Sequence, residues 1–485
     1  MVDQIQPEIQ IQPKARRNPN SLRIREAKAW LRHLPLRFPF RFGKAWMTEL
    51  PVATLRLEVE GAGGQLGVGW AASGLPPMWF DKRDGRSLPE NVSDLLLSIR
   101  EAAQASLNAG WDSPFDLHRN LQTATRSSLA GRPDPMPPLA AGFGPALCEA
   151  AMVDAVCRRH GQPLHQVLKR DLLGLGSAPT EWPAQPSPRM ALRHTVGMAD
   201  PLRDEDMAGV ARCNDGLPQT LTEVIRHYGP KYFKIKIGGG DEATVKRLIA
   251  LSACLGSEAG DYRLTLDGNE QWDDLGGFLN LWERLEGEPA LEDFLKRILY
   301  VEQPVRRERS LAAGDEGVMA KLKAKIPLLI DESDGEAGVA EAAFELGYAG
   351  VSVKLCKGLF RALHHFRLVA ELRRQGRTAF LSSEDLTAVP ALPLQQDLGL
   401  AAALGLTHTE RNGHHFARGG LYLTPREAED ALRVFPSLYG RGPENEPALK
   451  VDGGAIDLTQ VNAHGFGGPV LPDTHHQSTL FSLST

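Results

Sequence analysis

Eight short apolar runs, each followed by a stretch with helical periodicity, fill the sequence after Pro188. The runs are MALRHTVGM, YFKIKIGG, YRLTLDGN, ILYVEQPV, PLLIDES, GVSVKLCKG, TAFLSSEDL and GLTHTERNG. Regular alternation of strands and helices predicts a parallel sheet, and eight units of roughly 30 residues fill the ~250 residues of a (β/α)₈ barrel. The sequence therefore predicts an α/β protein with a TIM-type barrel over residues 186–425.

The rest of the chain predicts a second, smaller domain. Residues 1–25 are polar and are interpreted as a disordered tail. Residues 26–185 contain VATLRLEVEGAGGQLGVGWAA, where a Gly-rich turn joins two alternating segments as in a β-hairpin, and then show helical periodicity from about 90 to 170. This segment is expected to be an α+β domain, and residues 426–485 are expected to return to it.

The composition excludes several classes of protein. A formal net charge of −5 with 42% hydrophobic and 24% charged residues is typical of a globular protein that binds neither nucleic acid nor an anionic membrane. The five cysteines are widely spaced and form no C-x-x-C pair, which favours reduced thiols and a cytoplasmic location. The expected partner is a small molecule.

Polar side chains close successive predicted strands at the barrel end where active sites lie. Asp267, Glu302 and Asp331 are carboxylates from three successive strands whose crowding requires a cation, and oxygen ligands of this kind favour Mg²⁺. In strand order the polar residues are Lys234 and Lys236, Asp267 and Asn269, Glu302, Asp331 and Glu332, and Lys354. Successive intervals from Lys236 through Asp267, Glu302 and Asp331 to Lys354 are 31, 35, 29 and 23 residues, which places the carboxylates at equivalent heights.

Two lysines on one strand face predict acid–base chemistry. Lys234 and Lys236 are two residues apart, so both point into the barrel, where an unpaired ammonium is costly. At about 7 Å and an effective dielectric of ~20 their repulsion is about 2.4 kcal/mol, which favours the neutral form of a lysine base. Lys236 and Lys354 would face each other across the metal, an arrangement suited to removing a proton next to a carboxylate.

The motifs KIK, LDGNEQW, YVEQP, IDES and VKLCKG, in this order and spacing, resemble the enolase superfamily and its muconate-lactonizing branch. The resemblance implies that the N-terminal domain caps the barrel, that Mg²⁺ stabilises an enediolate intermediate, and that the protein forms a homo-oligomer. It also implies a role for each matched residue. These are Asp267, Glu302 and Asp331 as Mg²⁺ ligands, Lys236 and Lys354 as acid and base, Lys234 on the substrate carboxylate, and Asn269 and Glu332 behind the ligands.

The overall reaction stays open between several outcomes of one intermediate. Two facing lysines favour a racemase or epimerase, while a dehydratase, an o-succinylbenzoate-synthase-like lyase and a cycloisomerase use the same site. The mandelate-racemase branch is disfavoured because strand seven, LSSEDL, lacks its histidine. From other classes, a Schiff-base aldolase using Lys354 and a non-catalytic binding protein on this fold remain.

Residues around this centre receive separate interpretations. Glu384 and Glu410 end strands seven and eight and are predicted to bind substrate or to bond to the lysines. Lys357 is interpreted as a surface or loop residue. Two further groups complete the predictions: solvated loop histidines at His414, His415 and His464, and an apolar wall from the capping domain at Trp46, Trp70 and Trp79.

Overall fold

The computed structural model describes residues 19–42, 45–238, 240–463 and 465–485. The strands in chain order are β1 (Leu22–Phe42), β2 (Ala45–Gly61), β3 (Leu66–Gly74), β4 (Arg189–Val196), β5 (Tyr232–Lys236), β6 (Arg263–Asp267), β7 (Ile298–Glu302), β8 (Leu328–Ile330), β9 (Gly350–Val353), β10 (Phe380–Ser383), β11 (His408–Arg411), β12 (Tyr439–Arg441), β13 (Pro447–Leu449), β14 (Ala455–Asp457) and β15 (Ser478–Ser484).

The α-helices lie between and after these strands. They are α1 (Leu88–Asn108), α2 (Pro114–Ala130), α3 (Pro138–Ala141), α4 (Phe143–His160), α5 (Leu164–Lys169), α6 (Leu221–Tyr228), α7 (Asp241–Glu258), α8 (Leu275–Glu286), α9 (Glu292–Leu295), α10 (Glu316–Lys323), α11 (Val339–Leu346), α12 (Leu359–Arg374), α13 (Leu392–Ala403), α14 (Gly413–Phe416) and α15 (Pro425–Val434).

The barrel is a closed ring of eight parallel strands, β4 to β11. Neighbouring strands pair in chain order, and β11 pairs with β4 to close the ring. Strand β14, which is not part of the ring, pairs antiparallel with the first three residues of β4. Each of the eight apolar runs matches one of these strands to within one residue, so the predicted barrel is confirmed.

The capping domain is an antiparallel sheet in the order β15-β1-β2-β3, covered by α1 and α4. Helix α1 begins with a capping box in which Ser87 and Glu90 satisfy each other's backbone N–H groups. The segment Pro138–His160 is long and apolar enough to cross a membrane by composition, but its apolar 18-residue core is buried inside the fold. Gly69 lets β3 approach α4, because a Cβ there would lie 1.9 Å from the carbonyl oxygen of Ala151.

The first described strand joins the N-terminal and C-terminal parts of the chain. Strand β15 pairs with β1, with Glu26 opposite Ser484. Residues 22–25 belong to β1, so the prediction of a disordered tail is wrong for these four residues, which hydrogen-bonded pairing with β2 orders. Residues 1–18 of that predicted tail lie outside the described residues.

Arg37, on β1, connects the capping domain to the barrel. Its buried guanidinium donates to both carboxylate oxygens of Asp215, at 2.6 and 2.9 Å, and to the carbonyl oxygen of His415 at 2.6 Å. It also donates to the carbonyl oxygens of Leu217 and Pro218, each at 3.2 Å. One side chain thus connects the long β1–β2 hairpin to two barrel loops.

Candidate active site

The predicted carboxylates and lysines converge at the C-terminal end of the barrel strands. In the strand register Lys236 is opposite Asp267, and Asp267 is opposite Glu302, so the three side chains start at one height. Asp331 directly follows β8, and Lys354 directly follows β9. Asp267, Glu302 and Asp331 are completely buried, which makes their charge the dominant property of the site.

Lys234 lies at the centre of this cluster. Its ammonium nitrogen is 2.9 Å from Asp267, 2.7 Å from Glu302, 2.7 Å from Glu384 and 2.9 Å from Glu410. Burial lowers the pKa of Lys234, but the four carboxylates outweigh burial and hold it well above its usual value. The ammonium is therefore protonated and fully paired, and its predicted contact with a substrate carboxylate stays a prediction.

Lys236 and Lys354 lie on opposite walls of the barrel. Strands β5 and β9 are four positions apart in either direction around the ring. The Lys236 ammonium is 2.6 Å from Oδ2 of Asp267, and the Lys354 ammonium is 2.6 Å from Oδ2 of Asp331. Each lysine is thus paired with a different carboxylate, and the space between them is flanked by two potential proton carriers.

The three predicted metal ligands titrate differently because their neighbours differ. Burial, together with the nearby charges of Asp267 and Glu384, raises the pKa of Glu302 well above its usual value. Burial also acts on Asp267, but Lys234 and Lys236 reverse it and lower the pKa. At Asp331, Lys354 and Lys357 overcome burial and lower the pKa to about 2. Glu302 is therefore the carboxylate that is least stable as an anion here.

The donor atoms suit a hard divalent cation. Asp267, Glu302 and Asp331 offer only carboxylate oxygens, the ligand type that Mg²⁺ prefers. Oε2 of Glu332 is buried beside them without a hydrogen-bond partner. Lysine ammoniums hold the carboxylates, and in the described part of the chain no group of three or more His, Cys, Asp or Glu residues is arranged to hold a metal as it stands. The donor atoms of the three carboxylates therefore fit Mg²⁺, which could bind once the lysine ammoniums move away from them.

Asn269 and Glu332 lie behind the predicted ligands. The backbone N–H of Asn269 donates to Oδ1 of Asp267 at 2.8 Å, and its side-chain amide donates to Glu332 at 3.1 Å. Asn269 has a positive φ of 42°, a conformation that asparagine tolerates better than most residues. Lys82 of the capping domain donates to the carbonyl oxygen of Asn269 at 3.2 Å.

The interpretation of Lys357 as a surface residue is wrong. It is 5% exposed, and its ammonium is 2.9 Å from Oδ2 of Asp334. It also donates to the carbonyl oxygen of Asp331 at 2.9 Å and to the Ser352 hydroxyl at 3.0 Å. The short turn after β9 directs it inward, which spacing in the sequence could not reveal. Lys357 therefore supports the predicted ligand Asp331.

Glu384 and Glu410 hold Lys234 from the far side of the barrel. Glu384 forms an ion pair with the buried Arg193 and accepts from the Tyr300 hydroxyl at 2.9 Å. Burial raises the pKa of Glu384, but Arg193 and Lys234 overcome it and keep the pKa well below its usual value. Glu410 accepts from Thr195 at 2.8 Å, and its pKa is raised by burial. Whether either carboxylate binds substrate stays a prediction.

Sequence reasoning missed Arg193. It occupies an inward position of β4 in the run MALRHTVGM, where its guanidinium also donates to Ser382 at 3.1 Å and contacts His408 at 2.8 Å. The signal was present, because a charge inside an otherwise apolar strand is the pattern that identified Lys234. The same reasoning applied to the first strand would have predicted an inward cation.

The aromatic and histidine predictions have mixed outcomes. The Lys354 ammonium lies 4.4 Å from the ring centre of Trp79, whereas Trp70 stacks on Trp30 and Trp46 is 50% exposed. The prediction of solvated histidines is wrong for two residues, because they are buried on the outside of the barrel and pack against His194. These two are His414 and His415, while His464 lies outside the described residues.

A cavity of about 40 Å³ lies between the barrel and the capping domain, next to this cluster of lysines and carboxylates. Lys354, Glu384 and Cys356 line it from the barrel side, and Gly74 and Phe143 line it from the capping side. Burial raises the pKa of the Cys356 thiol to about 12, which favours the protonated thiol at neutral pH. The charged groups that line the cavity are Lys354 and the carboxylates of Glu384, Asp385 and Asp397.

No protein-family model and no curated protein matches the chain. Among solved structures, a member of the enolase superfamily from Roseovarius nubinhibens ISM is similar with a TM-score of 0.59 and 20% identity, over 96% of this chain and 100% of that one. A dipeptide epimerase from Enterococcus faecalis V583, complexed with Mg and the dipeptide L-Leu-L-Tyr, gives 0.57 and 19% over 92% and 99%.

A third similar structure represents a different reaction. It is the L-talarate dehydratase from Polaromonas sp. JS666, complexed with Mg and L-glucarate, with a TM-score of 0.54 and 17% identity over 96% of this chain and 100% of that one. The chain thus has the fold of enolase-superfamily structures along nearly its whole length. The resemblance indicated by the sequence motifs is confirmed at the level of the fold.

Proposed function

We propose that this protein is an enolase-superfamily enzyme that uses Mg²⁺ to remove the proton alpha to a substrate carboxylate. One observation carries the proposal: Lys236 and Lys354 project from opposite walls of the barrel, each 2.6 Å from a different carboxylate of the Asp267, Glu302 and Asp331 set. Similar structures with bound Mg and small carboxylate ligands support it.

The chain's own groups divide the work by position. Asp267, Glu302 and Asp331 would hold the cation, which when bound supplies positive charge to the substrate carboxylate and to the negative charge that develops there. Lys236 accepts or returns the α-proton on one face of the substrate, and Lys354 does so on the other face. Glu384 and Glu410 fix Lys234, and the capping domain covers the barrel end and limits the access of water.

The proposed overall reaction is racemisation or epimerisation of the α-carbon. Each face has a lysine, so a proton removed by one side chain can be replaced by the other. A dehydratase, an o-succinylbenzoate-synthase-like lyase or a cycloisomerase would use the same first step. A binding protein without activity needs neither lysine.

The test is deuterium incorporation from D₂O into a library of α-substituted carboxylic acids, N-acylated amino acids and dipeptides, with Mg²⁺ or with EDTA. We expect exchange only with Mg²⁺, for both enantiomers. Lys236→Met and Lys354→Met should each abolish exchange for a different enantiomer, while Lys231→Met, at the exposed residue directly before β5, should leave both intact.

Other results would change the conclusion. Loss of the mass of water from the substrate would identify a dehydratase. If Lys236→Met and Lys354→Met each still exchanged both enantiomers, the assignment of the two lysines as bases would be contradicted. A protein that binds Mg²⁺ but exchanges no member of the library would favour the binding-protein reading.

A further inference from the structure

We infer that Trp79 of the capping domain is a positioning residue for Lys354, so that one of the two proposed bases is fixed by the capping domain. The inference rests on the proposed function for its catalytic meaning. Its structural basis is the indole ring of Trp79, which lies 4.4 Å from the Lys354 ammonium nitrogen. A desolvated cation over an indole face is attracted by the ring quadrupole, so the ring restricts where the ammonium can move.

The indole ring is held by its own aromatic neighbours. Trp79 is 3% exposed and packs edge-on against Phe80, with ring centres 4.8 Å apart and planes at 88°. Phe80 in turn packs against Phe143 of α4 at 4.9 Å. This edge-to-face geometry is favourable for aromatic rings. The position of Trp79 is therefore set by the core of the capping domain.

A barrel arginine fixes the backbone of the same loop. Arg307 donates to the carbonyl oxygens of Trp79 at 2.9 Å and Phe80 at 3.0 Å. Its guanidinium is held by both carboxylate oxygens of Glu270, at 2.7 and 2.9 Å. Lys82, three residues after Trp79, forms a further ion pair with Glu270. The loop is thus attached to the barrel at Trp79 and at two of the three residues that follow it.

The arrangement is asymmetric between the two proposed bases. Within the described ranges, no aromatic ring covers the Lys236 ammonium, whose contact is Asp267. Lys354 lies between Asp331 and Trp79. Removing the indole should therefore disturb proton transfer on the substrate face that Lys354 serves and leave the other face nearly unchanged.

The contact itself is tested without any substrate. A double-mutant cycle with Trp79→Leu, Lys354→Met and the combined variant compares urea midpoints of unfolding. We expect the combined effect to differ from the sum of the single effects, because the first substitution removes the interaction that the second would break. Additive midpoint shifts would overturn the inference, whatever the protein catalyses.

The positioning role is tested by exchange of the two enantiomers in D₂O. Lys354→Met first identifies the enantiomer that depends on Lys354. Trp79→Leu should then lower kcat for exchange of that enantiomer roughly ten-fold more than for the other, and Trp79→Phe, which keeps an aromatic face, should recover part of the loss. Trp182→Leu is the matched control, because Trp182 is 5% exposed and stacks on Phe366 away from the lysines.

Equal losses for both enantiomers, or a selective loss in Trp182→Leu, would overturn the positioning role. Failure of the proposed function is distinguishable. In that case the unsubstituted protein exchanges no substrate, while the coupling between Trp79 and Lys354 in the urea experiment is still expected.

Discussion

The side chains inside this barrel are charged where barrels of this type are usually filled by branched aliphatic residues. Arg193 and Lys234 are fully buried inward-facing cations, and Glu384 lies between them. Buried charges of this kind are tolerated only when each has partners of opposite sign. The opposite charges in the barrel interior therefore balance each other, and the loss of one charged side chain leaves its partners buried without a counter-charge.

Replacing Lys234 tests this balance. Lys234→Met would leave four carboxylates around an apolar side chain, and we expect the free energy of unfolding to fall by about 3–5 kcal/mol, the range for breaking a buried ion pair. Urea denaturation monitored by circular dichroism measures the change. Lys231→Met, which removes an exposed lysine directly before the same strand, is the control. A loss below about 1 kcal/mol for Lys234→Met would contradict the central role of this ammonium.

At the scale of residues, the sequence predicted the inward lysines and carboxylates because alternation along a strand and the strand end determine where a side chain points. It could not place Lys357, whose direction depends on a turn, nor Trp79, whose contact with Lys354 joins two domains. Positions on regular strands follow from local geometry, whereas contacts between loops depend on the whole fold.

Among the elements, the β1–β2 hairpin has the widest reach. Its strands span Leu22–Phe42 and Ala45–Gly61 in the capping sheet, and Arg37 extends from it to the barrel loops that contain Asp215 and His415. The sequence predicted the neighbouring hairpin of β2 and β3 from its alternating pattern, but it predicted neither the long strand β1 nor its connection to the barrel. A charged residue in a strand indicates a partner without identifying it.

Arg37→Met should loosen this connection. The substitution leaves Asp215 and several carbonyl oxygens without their donor, so we expect a loss of about 3 kcal/mol in the free energy of unfolding. Urea denaturation measures it, and Arg25→Met is the control, because Arg25 pairs with Glu60 at the surface and should contribute less than about 1 kcal/mol. Equal effects of the two substitutions would show that the Arg37 contacts add no stability.

For the whole molecule, the eight-unit rhythm was sufficient to predict the barrel, because each unit must bury one strand and one helix face. The same rhythm contains no information on how the capping domain sits on the barrel. Arg307 and Trp79, for example, are 228 residues apart in the chain and meet through a hydrogen bond. Such contacts leave no period in the sequence, so this part of the site had to come from the structure.

Global stability should depend on pH through Asp154 in α4. This carboxyl is fully buried, and burial raises its pKa to about 7 although Arg158 and the Trp70 backbone N–H bond to it. The folded protein therefore binds more protons than the unfolded chain between about pH 4 and pH 7. The stability that Asp154 contributes is complete below about pH 4 and is lost as the pH rises towards 7.

The slope is at most about 1.4 kcal/mol per pH unit for one group. Urea midpoints measured from pH 4 to 8 should show this decline in the unsubstituted protein and a smaller decline in Asp154→Asn. Asp116→Asn, at a partly exposed position of α2, should leave the profile unchanged. Identical slopes in the unsubstituted protein and in Asp154→Asn would contradict the assignment to Asp154.

Strand β15 pairs with β1, although the two are separated by the whole barrel along the chain. During synthesis on the ribosome, β15, the outer strand of the capping sheet, would therefore be made only after the whole barrel. A nascent chain lacking residues 478–484 would leave the edge of β1 unpaired, and an unpaired strand edge can pair with a strand of a neighbouring chain. We therefore expect that early termination of translation, or a fusion that displaces β15, would first cause association between chains through the unpaired edge of β1.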